Sequence, residues 1–170
     1  YLRAAFQSVS GFEGIDKVAS GDDMLLMQKI LKQFPGRTRY LKSKQAIVTT
    51  TGAGDWRSFL HQRIRWSSKA RVYNDPTLQT ILVVVYLVNL LFPVLIVAGF
   101  FDHRMWVTAL ALLLAKVIIE FPFVLSVARY FGQAQLLWFF PLFQPLHIIY
   151  TVCAGFFGQF GYKWKGRRVR

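Results

Sequence analysis

Residues 78–101 read LQTILVVVYLVNLLFPVLIVAGFF, 24 residues without a charge. At about 1.5 Å per residue a helix of that length covers the ~30 Å of a bilayer's hydrocarbon core. The stretch is therefore read as a transmembrane helix, with Pro93 as its expected bend. A tight Asp102-His103-Arg104 connection leads to a second apolar stretch, Met105 to Ala128, interrupted only by Lys116 and Glu120. The two stretches make a helical hairpin. A third, Leu136 to Phe160, is apolar enough to span but holds Pro141, Gln144, Pro145 and His147, and Lys163, Lys165, Arg167, Arg168 and Arg170 follow it. Lys and Arg concentrate on the cytoplasmic side of membrane helices. The basic segment before Leu78 then lies inside, as does Arg129 after two crossings, and a third full crossing would carry the basic tail outside. A Pro-broken interfacial or re-entrant third segment is the expectation, a simple third span the other topology.

Composition agrees with a membrane protein. The chain is 54% hydrophobic and 16% aromatic over 170 residues, which excludes intrinsic disorder and is too apolar for an ordinary soluble fold. A net charge of +13 suits nucleic acid, phosphate groups or anionic lipid. Much of that charge flanks the apolar stretches, so membrane lipids are expected partners and nucleic acid is not. Cys153 is the only cysteine, which rules out a disulfide framework or a multi-cysteine zinc site. The chain starts at Tyr1 without a basic-then-apolar leader, so it is read as a piece of a larger protein.

The segment before the hairpin is water-facing. Gly21 to Phe34 has helical spacing at Met27, Ile30, Leu31 and Phe34, with Ser20 and Asp22 as candidate N-caps and Pro35-Gly36 as the stop. Tyr40 to Thr51, around Ala46-Ile47-Val48-Thr49, suits a strand that Gly52-Ala53-Gly54 ends. Asp55 then caps a helix running to about Tyr73, in which Trp56, Phe59, Leu60, Ile64 and Trp66 alternate with Arg57, Arg63, Arg65, Lys69 and Arg71. A basic amphipathic helix just before a membrane span is expected to lie among the headgroups.

Two constellations carry possible chemistry. Ser20-Gly21-Asp22-Asp23 opens a helix, where the dipole stabilises carboxylates and mutual repulsion raises the basicity of one of them. The pair serves either as a base for a hydroxyl proton or simply as helix-start acids. On the next helix Gln62, Arg65 and Trp66 stand at i, i+3 and i+4 and so share a face. Such a face fits a sugar nucleotide, because Arg forks onto diphosphate oxygens, Gln bonds beside it and an indole packs on a pyranose. The other reading is a membrane-surface helix whose Arg residues meet lipid phosphate, a role assigned to Arg63 and Lys69. Lys116 and Glu120, four apart on the second apolar helix, are expected to pair. His61, His103 and His147 form no metal-ligand or triad pattern, and no phosphate-binding Gly-rich loop or nucleophilic serine motif is present.

The order Val9-Ser10-Gly11-Phe12, Gly21-Asp22-Asp23 with Met24-Leu25-Leu26, Gln62-x-x-Arg65-Trp66 and then membrane helices resembles the C-terminal part of membrane-bound family 2 glycosyltransferases. These include cellulose, chitin and hyaluronan synthases and ceramide-glucosyltransferase-like enzymes. Trp164-Lys165-Gly166-Arg167 resembles a further basic-aromatic motif of the group. The resemblance implies that Asp23 is the general base activating the acceptor, Asp22 its supporting acid, and Gln62, Arg65 and Trp66 the residues that hold the nucleotide diphosphate and acceptor sugar. It implies an inverting transfer from a nucleotide-sugar donor to a lipid or glycan acceptor on the cytosolic face of a membrane, taken to be a bacterial inner membrane. It also implies a divalent cation, Mg or Mn, whose Asp-x-Asp ligands lie outside this chain; no metal ligand is assigned here.

The resulting expectation is a mainly α membrane protein. Residues 1–54 are the acceptor-side part of a GT-A-type α/β domain, 55–75 the amphipathic interface helix, 76–162 the membrane region with its hairpin and Pro-broken segment, and 163–170 a basic cytosolic tail. Single addition to a lipid is favoured over polymer secretion. The rival reading is a non-catalytic basic scaffold or subunit that binds anionic lipid.

Overall fold

The computed structural model describes residues 1–15, 21–71, 73, 75–160, 162–164 and 167–169. Within these the chain is almost wholly helical, and three helical stretches are long and apolar enough to cross a membrane: Pro76–Ala98, Arg104–Tyr130 and Ala134–Phe160.

Helix α1 (Arg3–Ser8) ends in a turn built on Val9-Ser10-Gly11-Phe12. Gly11 has φ +53°, and a Cβ there would stand 2.7 Å from the Phe6 ring, so the close approach admits only glycine. Lys29 of α2 (Asp22–Gln33) holds this turn by donating from Nζ to the carbonyls of Gly11 and Glu13, both at 2.8 Å. Leu25 and Leu26 are the buried residues of α2. Its N-cap is Gly21, in the left-handed region, without a side-chain cap. The candidate cap Asp22 is thus the first helical residue, and the candidate cap Ser20 lies outside the described residues.

The expected strand over 40–51 does not form. That segment is extended except for a 3-10 turn at Lys44–Ala46, because no described segment offers it an edge and a lone strand leaves its backbone groups unpaired. The one described sheet pairs Tyr162–Trp164 (β1) antiparallel with Arg167–Val169 (β2), overlapping residues 163–170, read from sequence as a basic tail.

Asp55 caps α3 (Trp56–Ser67) as expected, accepting from the Ser58 amide and hydroxyl at 2.8 Å each. A 3-10 turn, Ser68–Arg71, continues it. Helix α4 (Pro76–Ala98) starts with Pro76 in its first turn and the Asp75 carboxylate accepting from Thr77 and Leu78. It runs through Pro93, which cannot donate to the Asn89 carbonyl, and the buried Asn89 side chain donates to the Val85 carbonyl at 2.7 Å. Helix α5 (Arg104–Tyr130) returns beside it. At the tip, the Trp106 indole donates to the Ile96 carbonyl and packs on Gly99, where a Cβ would collide with the ring.

The third apolar stretch opens with a 3-10 segment, Ala134–Phe139, and becomes α6 (Phe140–Phe157). The break is this junction, with Pro141 in the first helical turn, and Pro145 does not interrupt the helix. Phe140 packs near Phe121 of α5, Gln144 bonds to Lys116 and Glu120, and Gly155 lies against the Tyr86 ring of α4. Tyr86 and Lys116 stand equally far along the chain from Phe101 at the hairpin tip, so in antiparallel helices of equal rise they sit at one level. Three turns of α6, about 16 Å, thus pass from α5 to α4 with little change of level, and α6 lies across the hairpin. Helix α3 runs alongside α6 in the same direction: Phe59 stacks edge-on to Tyr150 at 5.1 Å, Ser67 donates to the Ala154 carbonyl, and Gly158 fits against Ser67.

Candidate functional site

Asp22 and Asp23 occupy the first turn of α2, and both are exposed. Gly21 places them. Its φ of +96° turns the chain into the helix, and the tip of Lys69 lies directly against it, 2.8–3.0 Å from where a Cβ would be. Lys69 belongs to the 3-10 turn after α3. Burial pushes its ammonium toward the neutral form, the Asp23 carboxylate opposes this, Arg65 adds to the downward push, and Asp22 opposes it. Tyr73 feels the same carboxylate: burial first, then Asp23, holds its hydroxyl above the usual phenol range. The α2 acids and Arg65, 42 and more positions apart in sequence, therefore act on a common lysine.

Lys69, assigned from sequence to lipid phosphate, lies beside the start of α2. Arg63, assigned with it, packs against aromatic rings. Its guanidinium lies 4.7 Å from the Phe59 ring centroid, 4.6 Å from that of Trp66 and 5.8 Å from that of Tyr150, a cation–π cluster turned toward α6. Its Nε is buried without a hydrogen-bond partner among the described residues. Trp66 is 45% exposed, so part of its indole is held by Arg63 and part is open. Gln62 and Arg65 are half-buried on α3. Continuing the i, i+3, i+4 pattern from Gln62 through Arg65 and Trp66 reaches Lys69, a signal available in the sequence and assigned there to lipid.

The arrangement offers two exposed carboxylates near two cations. A carboxylate so placed can accept a hydroxyl proton, and the cations can neutralise an anionic leaving group. Among the described residues no three His, Cys, Asp or Glu side chains gather as a metal site.

A separate polar cluster lies between α5 and α6. Lys116 pairs with Glu120 as expected, its Nζ 2.5 Å from Oε1. Gln144, not anticipated as a partner, accepts from Lys116 at 3.1 Å and donates to Glu120 Oε2 at 2.7 Å. An open cavity of about 840 Å³ adjoins this cluster. It is bounded by the start of α3, by α5 and by α6, and Asp22, Asp23, Gln62, Arg65 and Trp66 do not line it.

Comparisons with family models, with curated proteins and with solved structures find no match to this chain.

Proposed function

We propose that this chain is the acceptor-side part of a membrane-bound inverting glycosyltransferase, moving a sugar from a nucleotide donor to a lipid or growing glycan at the cytosolic membrane surface. The observation that carries this reading is the tip of Lys69, one turn beyond Arg65, lying against Gly21, the residue that opens α2 ahead of Asp22 and Asp23. Asp23 takes the proton from the acceptor hydroxyl, which strengthens the nucleophile. Asp22 stands beside it in the first turn of α2 as the supporting acid. Arg65 and Lys69 oppose the charge that develops on the departing diphosphate, Arg65 with a planar fork that matches its oxygens. The open part of the Trp66 ring supplies an apolar face for a sugar. The divalent cation that the sequence resemblance implies would be held by residues other than those described.

By the bias of Lys and Arg, the basic segment ahead of α4 supports a cytosolic position for this end of the hairpin, and the membrane is read as a bacterial inner membrane from the resemblance alone. With α6 lying across the hairpin, the third apolar segment is read as re-entrant, so that the chain after Phe160 returns to the same side.

The test is Asp23→Asn in the intact membrane protein. Transfer is expected to fall by roughly 10²–10⁴-fold, the range for removal of a general base, while membrane insertion and nucleotide binding persist. Unchanged turnover rejects the assignment. Arg65→Lys is expected to weaken diphosphate binding through loss of the fork; a change confined to anionic-lipid affinity supports the scaffold reading instead.

A further inference from the structure

We propose that the open cavity between α3, α5 and α6 binds one membrane lipid whose head is uncharged and donates hydrogen bonds, as the free hydroxyl of a diacylglycerol does. The inference is independent of sugar transfer. The cavity starts at Asp55, whereas Lys69 lies at the other end of the same helical stretch, ~21 Å away at 1.5 Å per residue.

The volume of about 840 Å³ is in the range of small-molecule sites, which pair apolar walls with a few polar groups. Here the walls are Phe123 and Val124 of α5 and Phe140, Phe143 and Leu146 of α6. Phe123 and Phe143 are also exposed at 73% and 53%, so the apolar lining continues onto the outer surface where acyl chains lie. Glu120 and Gln144, together with Asp55, His147 and Tyr150, supply the polar wall.

Their hydrogen bonds determine what that wall can accept. Gln144, 3% exposed, spends its oxygen on Lys116 and one N–H on Glu120. Lys116 does not line the cavity; its ammonium is bonded to Glu120 and Gln144. Glu120 accepts one bond at each oxygen, yet a carboxylate has about four acceptor positions, and its side chain is 39% exposed. Beside His147 and the Tyr150 hydroxyl, the charged groups on the lining are thus acceptors, Glu120 with spare capacity and Asp55 capping α3, while the Lys116 ammonium does not line the cavity. A phosphate-bearing head meets like charge on this wall, whereas a hydroxyl gains a charge-assisted hydrogen bond. Unused polar capacity in hydrocarbon is costly, and a donor from the lipid head offsets that cost.

The intact protein in phosphatidylcholine nanodiscs is crosslinked with a diacylglycerol carrying a diazirine close to its hydroxyl. Labelling is expected in residues 120–124 and 140–147, with unlabelled diacylglycerol competing about tenfold better than phosphatidylglycerol, a 1.4 kcal/mol preference. Leu146→Trp and Val124→Trp fill the cavity from different walls and are each expected to abolish this labelling. Leu114→Trp, on the exposed side of α5, is expected to preserve it. Label spread evenly over the outer faces of α4 and α5 in the wild type, equal competition by phosphatidylglycerol, or full labelling in both cavity-filling variants overturns the proposal.

Discussion

Gly21 shows how much a single position sets here. Its left-handed φ of +96° and the Lys69 tip against it mean that Gly21→Ala strains the backbone and displaces the lysine together. The backbone effect alone is about 1–2 kcal/mol, read as a lowered midpoint of thermal unfolding, and Gly21→Asn is expected to recover part of it because Asn visits that region. The electrostatic coupling has its own readout. Asp23 holds the Lys69 ammonium in its charged form against burial and Arg65, so Asp23→Asn is expected to lower the Lys69 pKa further in an NMR titration of the side-chain nitrogen. No movement of that titration would separate the two residues. Asp55 titrates with the opposite consequence: the Ser58 amide and hydroxyl hold its carboxyl below the usual range. A group whose folded pKa is depressed stabilises above its unfolded value and ceases to do so as pH falls through the folded one. Hydrogen-exchange protection of the Ser58 amide is therefore expected to be constant at neutral pH and to disappear in acid, below the ordinary carboxylate range.

At the scale of elements, α3 is less a surface helix than its composition implies. Its Arg63 is packed among Phe59, Trp66 and Tyr150, and Ser67 bonds to the backbone of α6. A sequence pattern can place Arg63 on a face but cannot say that another helix covers that face. The triad between α5 and α6 was half legible for the same reason. Lys116 and Glu120 are four residues apart on one helix, whereas Gln144 arrives from another and completes the pair's hydrogen bonds. Removing one member leaves a buried ammonium. Glu120→Gln is expected to cost about 2–3 kcal/mol, below the usual 3–5 for a buried pair because the carboxylate is partly exposed. The double variant Lys116→Met with Glu120→Gln is expected to regain most of that loss in the same unfolding assay. Equal losses in the single and double variants would show that the charge pair contributes nothing.

For the molecule as a whole, the crossing of α6 over the hairpin leads to a topological expectation. In a background lacking Cys153, single cysteines at Gln133 and Gln159 are expected to react with a membrane-impermeant thiol reagent from the same side of sealed vesicles; reaction from opposite sides would make the third segment a full span. The three apolar helices and the hairpin were readable from residue order, since a charge-free run of 24 residues has few alternatives in water or lipid. The Asp55 cap and the Lys116–Glu120 pair were readable too, because caps and i, i+4 pairs involve neighbours within one turn. The expected strand at 40–51 shows where local pattern stops, as strand propensity needs an edge to pair with and none is described there. The position of α6, the Arg63 cluster, the approach of Lys69 to Gly21 and the third member of the triad all depend on contacts between distant segments. Such contacts arise from packing whole faces together, which no short window of residues encodes.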